Sequence, residues 1–283
     1  MDYKIDLHVH SYMSDGTFSP KEIVSLAVKT NVKAISLTDH DSVDGINEAY
    51  KSARDLNVDF INGVEISSLY KDKRKLHILG LGIDIKSSNF LKPYTKMKLA
   101  REGAIKSILQ VIKLKGIDID INDLKQNSVN KYLDRYDIHK YFIRYGISYN
   151  SQEIWDKYLD PIPYGKDELF TTEEAIDIIK NSGGLSFLAH YNKNIGLNGL
   201  TKAQMEVNIK YLIDMGLRGI ERYYPSYSEE DNEFLDYIID KYGIEFSGGT
   251  DFHGENRPEI SLGTGYGNMS IPYSVYENIK NKI

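Results

Sequence analysis

The chain has 283 residues, 41% of them hydrophobic, which is enough for one large domain or for one domain with an insert. It has no cysteine, which excludes disulfides, thiol nucleophiles and thiolate metal sites, so any metal must sit on nitrogen and oxygen ligands. A formal charge of -6, with acids and bases interspersed, speaks against a broad nucleic-acid-binding face, although it leaves room for a local basic groove.

No apolar run precedes Asp2, Lys4 and Asp6. Neither a signal peptide nor a membrane span is expected, and a cytoplasmic enzyme is the plain reading. In chain order, short apolar segments alternate with helical patterns. "YKIDLHV" (3–9) reads as the first strand. "SPKEIVSLAVKTN" then reads as a helix, with Ser19 as N-cap, Pro20 at its first position, and Ile23, Leu26 and Ala27 at helical spacing. "VKAISLT" (32–38), the helix "SVDGINEAYKSARDLN", and the strands "VDFINGVEIS" (58–67) and "KLHILGLGI" (75–83) follow.

Residues 94–165 break the rhythm. "TKMKLAREGAIKSILQVIKLKG" and "VNKYLDRYDIHKYFIRYG" read as helices with charged and aromatic surfaces. They form a helical insert, which leaves 1–93 and 166–283 for the main domain. The alternation then resumes. The helix "TTEEAIDIIKNSG", capped by Thr171 or Thr172 and stopped at Gly183, leads to "GLSFLAH" (184–190). The helix "TKAQMEVNIKYLIDMG" leads to "GLRGIERYY" (216–224), and "SEEDNEFLDYIIDKYG" leads to "GIEFSGGT" (243–250). "SLGTGYGN" matches neither a dinucleotide nor a nucleotide-triphosphate fingerprint and reads as a last strand or loop. Seven strands alternating with helices predict an α/β fold with a mostly parallel sheet, closed or nearly closed into a barrel.

All the histidines except His139 sit in or just beyond a strand, where barrel enzymes build their sites. Asp15, Asp39, Asp41, Glu65, Glu221 and Asp251 accompany them. His8 and His10 are two apart, so on a strand they point the same way, as do Asp251 and His253 in "TDFH". His40 lies in "TDHD", His77 in "LHILG" and His190 in "LAH". Glu65 lies inside an apolar strand, where an unpaired carboxylate is costly and metal coordination is one cure. Any one of these residues has an ordinary reading: a turn for Asp15 before Gly16, a cap for Asp251, an ion pair for Glu65. Their repetition at successive strand ends predicts a multinuclear metal site instead. Adjacent divalent ions lower the pKa of water and neutralise developing phosphoryl charge.

"HVHSYMSDG", "LTDHD", "GVEIS", "HILG", "LAH" and "GTDFHG", in this order from Asp6 to Gly254, resemble the PHP (polymerase and histidinol phosphatase) superfamily, in particular its stand-alone metal-dependent phosphoesterases. The resemblance implies a distorted (β/α)7 barrel with a helical insertion, and two or three divalent ions (Mn, Fe or Zn). It implies that His8, His10, Glu65 and Asp251 hold a first ion, that Glu65, His77 and His190 hold a second, and that Asp15, His40 and His253 hold a third. A metal-bridging hydroxide would then attack phosphorus in line, with no protein nucleophile. The insert resembles a lid, and related sequences carry an Arg followed by a His near "LDRYDIHKYF", so Arg135 and His139 become substrate-binding candidates. Arg101, Arg222 and Tyr223 join them. Lys140, Arg144 and Lys193 are further phosphate-gripping cations. Glu221 is a candidate to orient a ligand histidine. Tyr223 and Tyr224 either stack on a base or cover the rim, and Tyr191 stands where proline is usual.

The functional expectation is a phosphomonoesterase acting on a nucleotide or a nucleotide-like small phosphate. A 5'-3' exonuclease on short RNA, a histidinol phosphate phosphatase and a non-catalytic metal-containing binding protein are the alternatives.

Overall fold

The computed structural model describes residues 4–283; Tyr3, assigned from sequence to the first strand, lies outside the described residues with Met1 and Asp2. In chain order the elements are β1 (Lys4–Val9), α1 (Pro20–Lys29), β2 (Val32–Leu37), α2 (Ile46–Leu56), β3 (Asp59–Leu69), β4 (Lys75–Leu81), α3 (Ser88–Leu114), α4 (Ile121–Asn127), α5 (Arg135–Arg144) and α6 (Ser151–Ile154), which continues as a π-helical turn (Trp155–Leu159). Then come β5 (Phe170–Thr171), α7 (Thr172–Asn181), β6 (Leu185–Leu188), α8 (Lys202–Asp214), β7 (Gly219–Tyr223), α9 (Glu229–Tyr242), β8 (Glu245–Gly248) and α10 (Tyr273–Lys280). Each of the seven expected strands is present. The two-residue β5 and the helices α4, α6 and α10 are additions, and "SLGTGYGN" is turn and loop.

Local chemistry sets the helix starts. Ser19, Thr171, Thr201 and Ser228 each form a capping box, accepting from the backbone N–H three residues on while that residue's side chain returns a bond. Pro20 opens α1 without losing a bond, because its missing N–H would have no helical partner. Gly243 closes α9 in the left-handed conformation.

The sheet runs β1-β2-β3-β4-β6-β7-β8, with β5 beside β3. It is mostly parallel, as expected, with one exception: β4 is antiparallel to both β3 and β6. The cause is chain length. Only residues 70–74 separate β3 from β4, too few for a parallel crossover, so the pair must be a hairpin.

The seam between β1 and β8 is narrow. Val9 bridges Phe252, and the His10 N–H donates to the Phe252 carbonyl at 2.9 Å. The buried Asp6 carboxylate strengthens it, accepting from the Thr250 N–H at 2.8 Å, the Thr250 hydroxyl at 2.5 Å and the Gly263 N–H at 2.8 Å. Burial, offset in part by these bonds, pushes the Asp6 pKa up to about 6.

Three apolar clusters form the core. The outer one packs α1, α2, α7, α8 and α9 on the sheet through residues such as Ile23, Ile46, Ile176, Ile209 and Leu235. The second joins Ile5, Leu7, Leu79 and Phe187 to Val275, Tyr276 and Ile279 of α10. The third lies within the segment expected as an insert: Ile105, Ile108, Ile112, Ile138, Phe142 and Ile154. α3 is continuous across residue 94. Phe90, Tyr94 and Met97 pack on the outer cluster, and the insert's own cluster begins at Ile105. Among the described residues, no helix is long and apolar enough to cross a membrane.

Candidate metal centre

His8 leaves β1 pointing at Glu65, with its Nε2 3.1 Å from Oε2. His10, one residue beyond the strand, points the same way: its Nε2 is 3.2 Å from the same oxygen, and the two rings are 5.1 Å apart. The i,i+2 spacing therefore does converge the pair. Asp251 completes this group, its Oδ1 3.1 Å from His10 Nε2 and 3.4 Å from His8 Nε2. On the other side of Glu65, Oε1 meets His77 Nδ1 and His190 Nε2, each at 2.9 Å. His40 Nδ1 is 3.0 Å from Oε2. A third group forms around Asp15, whose Oδ1 is 3.2 Å from His253 Nε2 and 3.8 Å from His10 Nδ1, and whose Oδ2 is 3.8 Å from His40 Nε2.

His77 lies near the start of its strand, yet it joins residues from the ends of others. The reversal of β4 accounts for this, because its register places His77 opposite Ser67, close to the end of β3.

Backbone and outer contacts hold the groups in place. Asp39 accepts from the Ser11 N–H, the Ser11 hydroxyl and the Ser14 hydroxyl, all at 2.7 Å, and so shapes the loop that delivers Asp15. Glu221 accepts from His8 Nδ1 and the His190 N–H, both at 2.8 Å, which leaves His8 Nε2 free to face the centre. Tyr224 and Arg257 donate to Asp251 Oδ2 at 2.9 and 2.5 Å, leaving Oδ1 inward. His190 and Asp251 have φ of +25° and +54°, a strained region for non-glycine residues that concentrates at functional sites. Two glycines allow the close approach: a Cβ on Gly16 would lie 2.3 Å from the His10 carbonyl oxygen, and one on Gly249 would lie 2.2 Å from the His8 Cβ.

Eight of the nine residues fall into groups that fit divalent ions; His190 adjoins them through Glu65 Oε1, and His40 takes the place expected of His190 in the second group. Three groups have ligand atoms within 4.8 Å of one another: His8, His10, Glu65 and Asp251; His40, Glu65 and His77; His10, Asp15, His40 and His253. Deeply buried atoms here lack any hydrogen-bond partner, among them His8 Nε2, both His10 nitrogens, Asp15 Oδ1, Glu65 Oε2 and Asp251 Oδ1. Unpaired polar atoms in such a place call for a cation. The donor set is nitrogen and carboxylate oxygen, suited to Mn, Fe or Zn. His77 and His253 are pushed down to about 4, foremost by burial, so both stay neutral near pH 7 as ligation requires. Burial also acts to lower His10, but the close carboxylates of Asp251 and Glu65 outweigh it and raise it to about 9.

The expected substrate residues lie elsewhere. Arg101 is buried, bonding Asp41 at 2.8 Å, Asp134 at 3.1 Å and the Glu168 carbonyl at 2.7 Å. Arg135 is buried within that same segment, donating to the carbonyls of Leu159, Ile162 and Pro163 and stacking 3.9 Å from the Tyr164 ring centre. His139 is buried against Ser151 and Trp155. Arg222 pairs with Asp236 and Asn232 of α9, and Tyr223 packs toward Phe246. None of the five lines the cavity above the ligand cluster.

That cavity, about 1180 Å³, is lined instead by Tyr136, Trp155, Tyr224, Lys75, Lys193 and Arg257, among others. Tyr136 stacks on the His40 ring at 5.4 Å. Arg257 was not anticipated. Its signal was its place four residues after His253, on the loop that a barrel strand sends over its mouth.

A mixed α/β barrel whose strand ends gather histidines and carboxylates into a multi-metal site defines a metal-dependent phosphoesterase. The chain belongs to the PHP domain family, whose model matches residues 6–247. It is 29% identical over 255 residues to a 3',5'-nucleoside bisphosphate phosphatase of Chromobacterium violaceum, covering 88% of this chain and 87% of that one. It is 28% identical over 258 residues to a 5'-3' exoribonuclease of Haemophilus influenzae, covering 89% and 91%. A crystal structure of a metal-dependent phosphoesterase homologue from Bifidobacterium adolescentis shares the fold, with a TM-score of 0.83, 21% identity and coverage of 99% and 96%.

Proposed function

We propose that the protein hydrolyses a phosphate monoester of a nucleotide or nucleotide-like small molecule, using two or three Mn, Fe or Zn ions held by the nine residues above. One observation carries this reading: the ligand cluster opens into a cavity of about 1180 Å³ with aromatic walls. Sites for small molecules occupy about 300–1,000 Å³, so this one has room for a base and sugar beyond the reacting phosphate. Tyr136, Trp155 and Tyr224 offer ring surfaces on which a base can stack.

Bound ions would supply an activated water and offset developing phosphoryl charge. The chain's own groups do the positioning. Glu65 gathers five imidazoles, Glu221 fixes the His8 ring, and Tyr224 and Arg257 fix Asp251. Tyr136 covers His40 and keeps water from that face. Cytoplasmic nucleotides are the natural substrates of such a site.

The second reading, a 5'-3' exonuclease on short RNA, draws on the cavity's extent, from Lys75 on β4 to Tyr266 beyond β8, and on the Haemophilus relative. The test is phosphate release by manganese-loaded protein, with a chelator control, from AMP, a nucleoside 3',5'-bisphosphate, 5'-phosphorylated oligoribonucleotides and histidinol phosphate. Fastest chelator-sensitive turnover on the mono- or bisphosphate is expected. Stepwise shortening of the oligonucleotide in preference would replace the proposal with the second reading. Preference for histidinol phosphate, or silence across the panel with metal bound, would overturn both.

A further inference from the structure

The chain has two Asn-Gly pairs, and the fold treats them in opposite ways. In such a pair the asparagine side chain meets the least crowded of backbone nitrogens, because glycine has no Cβ. Asn62-Gly63 lies inside β3. Asn62 pairs with Leu37 and Gly63 with Leu81 across the sheet, and the Asn62 amide donates to the Ile83 carbonyl at 3.2 Å. A Cβ on Gly63 would lie 2.2 Å from Ser36 Oγ, so this pair has no room to change shape. Asn198-Gly199 lies on the loop between β6 and α8, and both residues are exposed. Asn198 lines the cavity above the ligand cluster.

Three contacts prepare Asn198 for attack by its own backbone. The Gly199 N–H donates to Asn198 Oδ1 at 2.9 Å, so that nitrogen already faces the side-chain carbonyl of the preceding residue. The Asn198 amide nitrogen donates to Asn194 Oδ1 at 2.9 Å, which fixes the rotation of the same carbonyl group. Arg74, in the link between β3 and β4, donates from Nη1 to the Asn198 backbone oxygen at 3.0 Å. That oxygen and the Gly199 nitrogen belong to one peptide group. When the N–H loses its proton, the negative charge spreads onto the oxygen that the guanidinium holds, and a charge-assisted bond strengthens there. Gly199 has φ of +80°, and a Cβ on it would meet nothing within 4 Å, so no packing resists a rearrangement at this peptide.

We propose that Asn198 is a self-modifying site: with Arg74 activating the Asn198-Gly199 peptide, the side-chain amide deamidates, and the carboxylate so formed weakens the hold of the cavity on anionic substrate. The step needs only water. Hydroxide from solvent takes the Gly199 N–H proton, and the nitrogen attacks Asn198 Cγ. The new C–N bond closes a succinimide ring, the Cγ–Nδ2 bond breaks, and Nδ2 leaves as ammonia after gaining a proton from water. A second water opens the ring at either carbonyl, which leaves an aspartyl or an isoaspartyl link at position 198. In sum, one amide and one water become one acid and one ammonia. The new charge has the sign of a phosphate ester and stands in the cavity wall, on the loop where the Asn198 N–H donates to the Lys193 carbonyl. This consequence for substrate rests on the phosphoesterase reading; the modification itself does not.

The experiment incubates wild type, Arg74→Ala and Arg74→Lys, each native and unfolded in urea, and follows peptide masses over time. Native wild type should gain the mass of amide-to-acid conversion at Asn198, with aspartyl and isoaspartyl products both present. Its rate should exceed that of the unfolded chain about tenfold, the worth of one charged bond to the developing anion. Asn62 should convert only in urea. Arg74→Ala should remove the native advantage, and Arg74→Lys should keep part of it. A native rate at Asn198 no higher than in urea, or faster conversion in Arg74→Ala, would overturn the activation and with it the site. The consequence is read from Asn198→Asp, loaded with manganese and checked for metal content. Its KM for a nucleoside monophosphate should rise about threefold, the scale of one exposed charge, and the rise should shrink at high salt. An unchanged KM would overturn the effect on substrate. No turnover by metal-loaded wild type would instead overturn the phosphoesterase reading and leave the mass result standing.

Discussion

Glu65 touches His8, His10, His40, His77 and His190 with its two oxygens and is fully buried. A single neutral atom change tests its role. Glu65→Gln keeps the shape but removes the charge that bridges the groups. Metal content of the purified protein should fall, and turnover should drop by more than about 100-fold, the upper loss for removing even an outer partner of a ligand. Normal metal content in this variant would contradict the assignment. Protons compete with metal at the same atoms. His10 is raised to about 9 in the metal-free protein, so below that pH its imidazole carries a proton that metal must displace. Metal affinity should therefore rise with pH up to about 9. For the metal-free chain the sign is opposite. A folded pKa above the ordinary 6.5 stabilises fully below about 6.5, and that contribution is lost as pH rises toward 9. Thermal melts of stripped and manganese-loaded protein across pH 6–9 should thus diverge, the stripped form falling and the loaded form holding. The nine ligand candidates were legible because a histidine or acid recurs at strand ends at telling spacings. Arg101, Arg135 and Arg222 were not, because a sequence shows a cation without its partner. Nothing in "LDRYDIHKYF" announces that Arg135 will meet the carbonyls of Leu159, Ile162 and Pro163.

Among the elements, the insert is held to the barrel by charge. Arg101 of α3 reaches Asp41, which follows His40, and also Asp134 at the start of α5. Lys98 adds a bond to Asp134 at 3.3 Å, and Lys140 of α5 donates to the Tyr12 carbonyl at 2.9 Å. The insert therefore rests on the two loops that carry Asp15 and His40. Burial alone would raise Asp134, but Arg101 and Lys98 hold it well below the ordinary carboxylate range. Arg101→Ala leaves the buried Asp41 carboxylate without its cation and Asp134 with Lys98 alone, and such a break costs about 3–5 kcal/mol. Urea unfolding should show that loss; a change under about 1 kcal/mol would mean that the pairing is weak, as exposed pairs are. Helix starts such as Ser19-Pro20 and Thr171 were readable from local chemistry alone. The direction of β4 was readable too, from the five-residue link to β3, but alternation of strands and helices elsewhere concealed it. The extent of α3 was not readable, since one continuous helix serves two cores.

At the scale of the whole molecule, the barrel makes distant sequence local. Asp6 ties β1 to Thr250 and Gly263, and the seam it closes sets His8 and His10 beside Asp251. The loops after β1, β2, β6 and β8 and the start of the reversed β4 then meet at one mouth under the insert. A barrel was legible from strand count and from the resemblance, because the ordered motifs span nearly the whole chain. The cavity walls were not, since Tyr136, Trp155 and Arg257 come from segments whose packing no spacing rule predicts. The most direct test is a metal titration of stripped protein: remove divalent ions with a chelator, add manganese in measured equivalents, and follow phosphate release from a nucleoside bisphosphate alongside bound metal. The geometry predicts no turnover in the stripped protein and recovery that saturates at two or three ions per chain. Full turnover without bound metal, or saturation of all three groups with no hydrolysis of any phosphoester, would contradict it.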